Sequence, residues 1–315
     1  MKTSILHITN GDSTTNYLQK LEIQGDFITW REMLCEGKTE VNVGSEPFWK
    51  SRFDFFKQSY KVTKQQFIDL TLKEYRNLCN QKTQEEIVLW FEHDLFCQVN
   101  MLAVISWLKR YRKGRKVSLV CSGTIEGSEK LFGLSQLSEK QLREHYKNKV
   151  ELSIDDIEYA DYVWQLYCSN NPIKLENVYQ YQPSKNFKYL TDGLLAHLQR
   201  FPSLTNGLNT VENNILTIAY QNTISSKHKF VGAILQNEDH YGFGDMQYFK
   251  KIDDLKHLFH SFSPVKLNEK GQKVQQQLLN VYANIRDDYS FLGGAKKYNF
   301  LYDNSTQKLL KITSL

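Results

Sequence analysis

Residues 86–91 begin with Glu86 and then run apolar through Ile87, Val88, Leu89, Trp90 and Phe91, before the chain breaks into Glu92-His93-Asp94. Apolar positions return at Val99, Leu102, Ile105 and Leu108, the spacing of one helix face. A short apolar run feeding a helix predicts a buried parallel strand and its crossover. The pattern recurs through the first 121 residues: residues 4–9 predict a first strand, 27–30 a second, 86–91 the third and 117–121 a fourth, with a helix over 14–21. Each strand ends on polar or glycine residues. These ends are Asn10-Gly11-Asp12-Ser13, then Arg31-Glu32 with Glu36 and Gly37 close behind, then Glu92-His93-Asp94, and last Ser122-Gly123. Open α/β sheets bind ligands at their carboxyl ends. An order 2-1-3-4 would set the first and third strand ends side by side.

Residues 38–85 interrupt this alternation and predict two helices. Phe48, Trp49, Phe53, Phe55, Phe56 and Phe67 are interleaved there with Lys50, Arg52, Lys57, Lys61 and Lys64. The mixture fits covering helices whose lysine stems lie along apolar surface, and also a surface that stacks bases. Residues 109–116 form a basic run where a helix should end, which suits the negative end of its dipole. From about residue 135 the periodicity is helical. Ser138 with Gln141 matches a capping box, Ser153 caps a helix carrying Ile157, Ala160, Val163 and Leu166 inward, and a further helix covers 187–199. Helices over 210–220, 227–235 and 246–258 follow, the last capped by Asp245, and then a strand and turn at 265–271. The expected architecture is α/β, with a Rossmann-like, mostly parallel sheet over residues 1–135. A helical domain over 136–315 follows, ending in a winged-helix-like unit at about 205–290.

Composition narrows the class. The 315 residues are 41% hydrophobic and 13% aromatic, enough for a sizeable core. The charge of +5 lies in the first half: residues 1–150 hold 23 Lys and Arg against 18 Asp and Glu, and residues 151–315 hold 17 against 17. A neutral second half gives little counterion-release drive toward DNA, so nucleic acid is not the favoured partner. Five scattered cysteines without a C-x-x-C pair form neither a disulfide frame nor a zinc motif. No apolar run approaches the length of a membrane span and no signal-peptide core follows Met1, which predicts a cytoplasmic protein without membrane contact.

The candidate chemistry collects at the strand ends. Asp12, Glu92 and Asp94, with Glu32, are carboxylates that could hold Mg²⁺ or a similar hard cation, which in turn grips phosphate oxygens. Glu92, His93 and Asp94 are the candidate catalytic residues, His93 as a proton carrier near neutral pH. Asn10, Gly11, Asp12, Ser13, Arg31, Glu32, Gln98, Ser122 and Gly123 are the candidate ligand contacts, with Ser13 and the amides after it as an anion seat. Innocent roles exist for each: Asp94 and Ser13 as helix caps, Glu32 as a partner of Arg31, His7 as a satisfied core residue. Cys35 and Cys97 lie near the site without an adjacent base. Gly11-Asp12-Ser13 also matches the serine motif of one esterase class, but that class's oxyanion blocks are missing and Asp254-Leu255-Lys256-His257 falls inside a helix. P-loop and dinucleotide glycine signatures are absent.

Three blocks carry a resemblance: residues 7–13 (HITNGDS), 30–37 (WREMLCEG) and 90–98 (WFEHDLFCQ), supported by 197–203, 206–208 and 291–294. Together they resemble the bacterial domain of unknown function 1835. The resemblance implies a bacterial cytosolic protein and supplies no catalytic role. The strand-end cluster predicts binding, with hydrolysis or transfer, of a phosphorylated or nucleotide-like small molecule. The alternative is a ligand-sensing regulator whose second domain contacts DNA or a protein.

Overall fold

Residues 4–312, apart from 126, 129, 181–183 and 239, are described here from a computed structural model. Strand β1 (Ile5–Asn10) leads into helix α1 (Asp12–Lys20), and β2 (Asp26–Trp30) into the short strand β3 (Gly37–Lys38). The insertion supplies α2 (Glu46–Tyr60), α3 (Lys64–Phe67), a π-helical turn (Ile68–Leu72) and α4 (Lys73–Asn80). Then come β4 (Glu86–Phe91), α5 (Leu95–Tyr111), β5 (Lys116–Cys121), α6 (Glu139–Lys147), β6 (Val150–Glu151) and α7 (Ile154–Tyr167). The main sheet has the order β2-β1-β4-β5-β6, the first four parallel and β6 antiparallel at the edge. The ends of β1 and β4 are therefore neighbours.

Strand β4 is buried along its whole length because both faces are covered. Ile87, Leu89 and Phe91 join the side holding α5, while Val88 and Trp90 join Leu18 of α1 and Leu142 of α6 on the other. Successive strand residues point to opposite faces, so a continuous apolar run is what a doubly covered strand requires. The sequence marks one apolar face on α5, but α7 and α8 (Leu190–Leu198) pack against it as well, and twelve of its residues are buried. His7 is sealed in this core, with Nδ1 accepting from Trp90 Nε1 at 3.0 Å and Nε2 paired to the carbonyl of Gln24 at 3.1 Å.

Most lysines of the insertion behave as covering-helix lysines: Lys50, Lys57, Lys61 and Lys64 are exposed, whereas Phe48 and Phe56 are buried. The basic run is consumed by the fold. Lys109 pairs with Glu158 and Asp161, Arg112 donates to the carbonyls of Leu78, Cys79 and Gln81, and Lys116 pairs with Glu151.

The second half continues with α9 (Thr210–Gln221), α10 (Lys227–Gln236) and α11 (Asp245–Asp254), then a hairpin of β7 (Phe259–Phe262) and β8 (Val265–Leu267). Helix α11 departs from expectation at both ends. Its cap is Gly244, with Asp245 as the first helical residue, and it stops at Asp254 before a 3₁₀ turn. After α12 (Glu269–Gln275) and α13 (Tyr282–Ile285), strand β9 (Phe291–Gly293) pairs with β10 (Ala295–Lys296) and, in parallel, with β3. The hairpin of β11 (Phe300–Asp303) and β12 (Lys308–Lys311) closes the fold. One contiguous apolar cluster runs from Leu6 to Leu309, taking residues from both halves of the chain.

Candidate functional site

The site starts from the break after β4. Asp94 caps α5, its Oδ1 accepting the backbone N–H of Cys97 at 2.8 Å. That bond satisfies one of the free amides of the first turn. Two more amides of this helix start are taken by backbone: Leu95 N–H donates to the carbonyl of His240 at 2.8 Å, and Phe96 N–H to Tyr241 at 3.2 Å. The loop supplying those carbonyls passes directly over Asp94. Gly242 sits there at φ +66, and a Cβ on it would collide with the Asp94 carboxylate. Asp94 is consequently 6% exposed.

Glu92 accepts the amide of Leu134 at 2.6 Å and is held near neutral, its carboxyl pushed up to about 7 by burial first and by the Asp94 charge second. Burial likewise raises Asp94, opposed by the Cys97 amide and by His93. Glu238, from the same overlying loop, is raised by burial, although it accepts the amides of His240 and Tyr241 at 2.7 Å each; the Asp94 charge also pushes it up. The Cys97 thiol lies well above its ordinary range through burial and the two neighbouring carboxylates. Three carboxyls and a thiol thus share a poorly solvated space.

Among the described residues, one set of three potential metal ligands stands out. Glu92, Asp94 and Cys97 each offer a ligand atom, and these atoms lie within 4.8 Å of one another. Polar side chains surround the set. Asn10, at the end of β1, donates from Nδ2 to Cys97 Sγ at 3.0 Å and accepts from Asn100 at 2.7 Å. Gln98 donates to the carbonyl of Glu92 at 2.7 Å, while its Oε1 has no partner among the described residues. Ser122 Oγ is fully buried and also lacks one. The His93 ring lies edge-on to Tyr189 at 5.9 Å. Gly123 packs so closely on Tyr189 that no side chain fits there.

Several expected members stand elsewhere. Asp12 is not in the ligand set: its exposed carboxylate is held by Arg31, with Nη2 at 2.6 Å from Oδ1 and Nε at 3.0 Å from Oδ2. Arg31 also donates to the Leu70 carbonyl in the π-helical turn. Glu32 is separate too. Its side chain makes a sealed contact with Arg52, not Arg31, because the covering helix α2 lays its one buried cation there. Ser13 is not a cap; α1 begins two residues earlier than expected, at Asp12, with Gly11 as N-cap at φ +91 and no side-chain cap bond. The space above Gly11 is open to at least 4 Å, so this helix start keeps room for an anion, next to Asn10 and hence to Cys97.

Sequence reasoning missed Cys97 as a ligand candidate, although its place three residues after the cap Asp94 was a usable signal. It also missed Asn100, which ties Asn10 to the Leu34 amide, and Glu238 and Tyr189, which arrive only through folding. No helix among the described residues is long and apolar enough to cross a membrane. Comparisons of the chain with known protein families and with curated proteins found no match.

Proposed function

We propose that this protein binds a divalent cation through Glu92, Asp94 and Cys97, and an organic phosphate beside it, for hydrolysis or transfer of the phosphoester. The observation that carries this reading is the convergence of those three ligand atoms within 4.8 Å. Carboxyls crowded in a dry space repel one another as they ionise, and a bound cation would relieve that cost. The donor set refines the expectation of Mg²⁺: two carboxylates with a thiol suit Mn²⁺, Fe²⁺ or Zn²⁺ better than an ion that prefers oxygen alone. Binding would require the Cys97 thiol to lose its proton.

The place this reading gives the anion is a cavity along β5 that none of the three ligands itself lines. The cavity, of about 710 Å³, is lined by Cys121 and Thr124 at the end of β5, by Lys140, Lys185 and Lys188, and by Tyr189, whose ring also meets His93. Its volume lies within the roughly 300–1,000 Å³ of small-molecule sites. Lysines at its mouth favour a phosphorylated ligand. The open amino end of α1, with Arg31 and Asp12 at its edge, supports the same ligand class. The family reading, domain of unknown function 1835, rests on the sequence blocks alone.

A regulator with a winged-helix-like second half is the lesser reading. Lys250 and Lys251 of α11, which would have to face DNA phosphates, are paired at 2.7 Å with Asp254 and Glu36.

Titration calorimetry of chelator-stripped protein with Mn²⁺, Zn²⁺ and Mg²⁺, followed by a phosphoester panel, tests the proposal. Asp94→Asn keeps a good helix cap but loses the negative ligand. Metal binding and metal-dependent turnover should both disappear in a variant that still folds. Wild-type protein that binds none of the three ions and turns over no phosphoester would end the reading.

A further inference from the structure

A second recess lies between α2, α11 and β9, with Glu36 and Gly37 from the segment after β2 on its wall and a volume of about 620 Å³. We propose that it is a binding site for a nucleoside monophosphate. It does not rest on the cation site proposed above.

Glu36 lines the recess and accepts from Lys251 Nζ at 2.7 Å and from Tyr60 Oη at 2.5 Å. Glu212 accepts from Lys297 Nζ at 3.0 Å. Each buried acid therefore has its own lysine. Arg200 is a third cation lining the same recess, 4% exposed, and it has no carboxylate at hydrogen-bond distance among the described residues. Its nearest is Glu36 Oε1 at 3.8 Å, which already belongs to Lys251. Its Nη1 donates to the carbonyl of Cys35, and the Phe243 ring lies 5.2 Å from its guanidinium carbon. The other cations of the lining, Lys38, Lys50 and Lys250, are paired with Glu40, Asp54 and Asp254.

Lys251 and Arg200 thus share the single carboxylate of Glu36, at 2.7 and 3.8 Å, which leaves the floor of the recess with one cation more than its acids. That surplus positive charge favours a further anion, and a guanidinium presents two parallel donors that fit phosphate oxygens.

The second observation concerns the mouth. Tyr289 lines the recess and is 88% exposed, the most exposed large hydrophobic side chain among the described residues, and Phe291 stands two residues on. An aromatic face left in water beside a cationic floor matches a ligand with a planar ring at one end and a phosphate at the other. Its two ends fit a nucleoside monophosphate better than inorganic phosphate or a nucleoside alone.

Titration calorimetry in EDTA with adenosine monophosphate, inorganic phosphate and adenosine tests this on the intact chain. The nucleotide should bind saturably, phosphate more weakly, and adenosine not measurably. Tyr289→Ala, at an exposed position, should weaken the nucleotide about tenfold and leave phosphate unchanged. Arg200→Lys should weaken both; if that variant fails to fold, the Tyr289→Ala comparison decides alone. Asp94→Asn should bind the nucleotide as wild type does. The proposal is overturned if the nucleotide does not bind at millimolar concentration, or if Tyr289→Ala binds it like wild type. Loss of nucleotide binding in Asp94→Asn would also overturn it, by placing the nucleotide at the strand ends instead.

Discussion

Arg52 Nε donates to Glu32 Oε2 at 2.8 Å, and the two side chains are 0% and 1% exposed. The guanidinium also donates to the carbonyls of Met33, Glu36 and Lys38, so it ties helix α2 to the segment that leaves β2. An acid at a strand end that looks available for chemistry is here committed to architecture. Burial raises the Glu32 carboxyl, and Arg52 opposes that rise.

Removing one partner of such a pair strands the other. Glu32→Ala should cost about 3–5 kcal/mol in urea unfolding. A single variant as stable as wild type would show that the pair is not sealed.

Gly242 is the second pressure point. Its φ of +66 costs a side chain about 1–3 kcal/mol, and a Cβ there would also push the Asp94 cap off α5. Gly242→Ala should lower the melting temperature and slacken the Glu92–Asp94–Cys97 set together. A drop in melting temperature with metal affinity intact would separate the two effects.

Glu92 should make stability fall as pH rises. Its folded value, about 7, lies above the ordinary 4.5, so the stability it supplies is complete below 4.5 and is lost as pH rises through 7. Urea midpoints measured in EDTA at pH 4.5 and pH 8 should show that fall in wild type and a flatter profile in Glu92→Gln. Parallel profiles would mean that Glu92 is better solvated than its position indicates.

Glu36 works in the opposite direction. Lys251 and Arg200 hold it down to about 2 against the upward push of burial. Its contribution is present above the ordinary 4.5 and is lost as pH falls toward 2. Glu36→Gln should lose about 3–5 kcal/mol at pH 7 and show less further loss on acidification than wild type. Acid unfolding that runs parallel in the two proteins would count against the ion cluster.

How much of this could be seen beforehand follows from the range of each interaction. Strand β4 and the cap at Asp94 were legible because a doubly buried strand needs an unbroken apolar run and a helix start needs an acceptor, both local demands. The pairing of Asp12 with Arg31 and of Glu32 with Arg52 was not, since the choice among several arginines depends on how the insertion folds back. Helix α1 took Gly11 as its cap where Ser13 looked better, because the turn after β1 needs a positive φ one residue after the strand.

By itself the sequence determined the four parallel strands of the α/β half, the caps at Asp94, Ser138 and Ser153, and the gathering of polar residues after the strands, but not the short strands β3 and β6. Periodicity and capping act within a few residues, and one chain spells them out. Only the tertiary structure decided which acids meet. It brought Glu238 and Gly242 onto Asp94, set Cys97 beside Asn10, and drew Lys251 and Arg200 around Glu36. Those contacts depend on which loops a closed core leaves next to each other, and no local pattern encodes that.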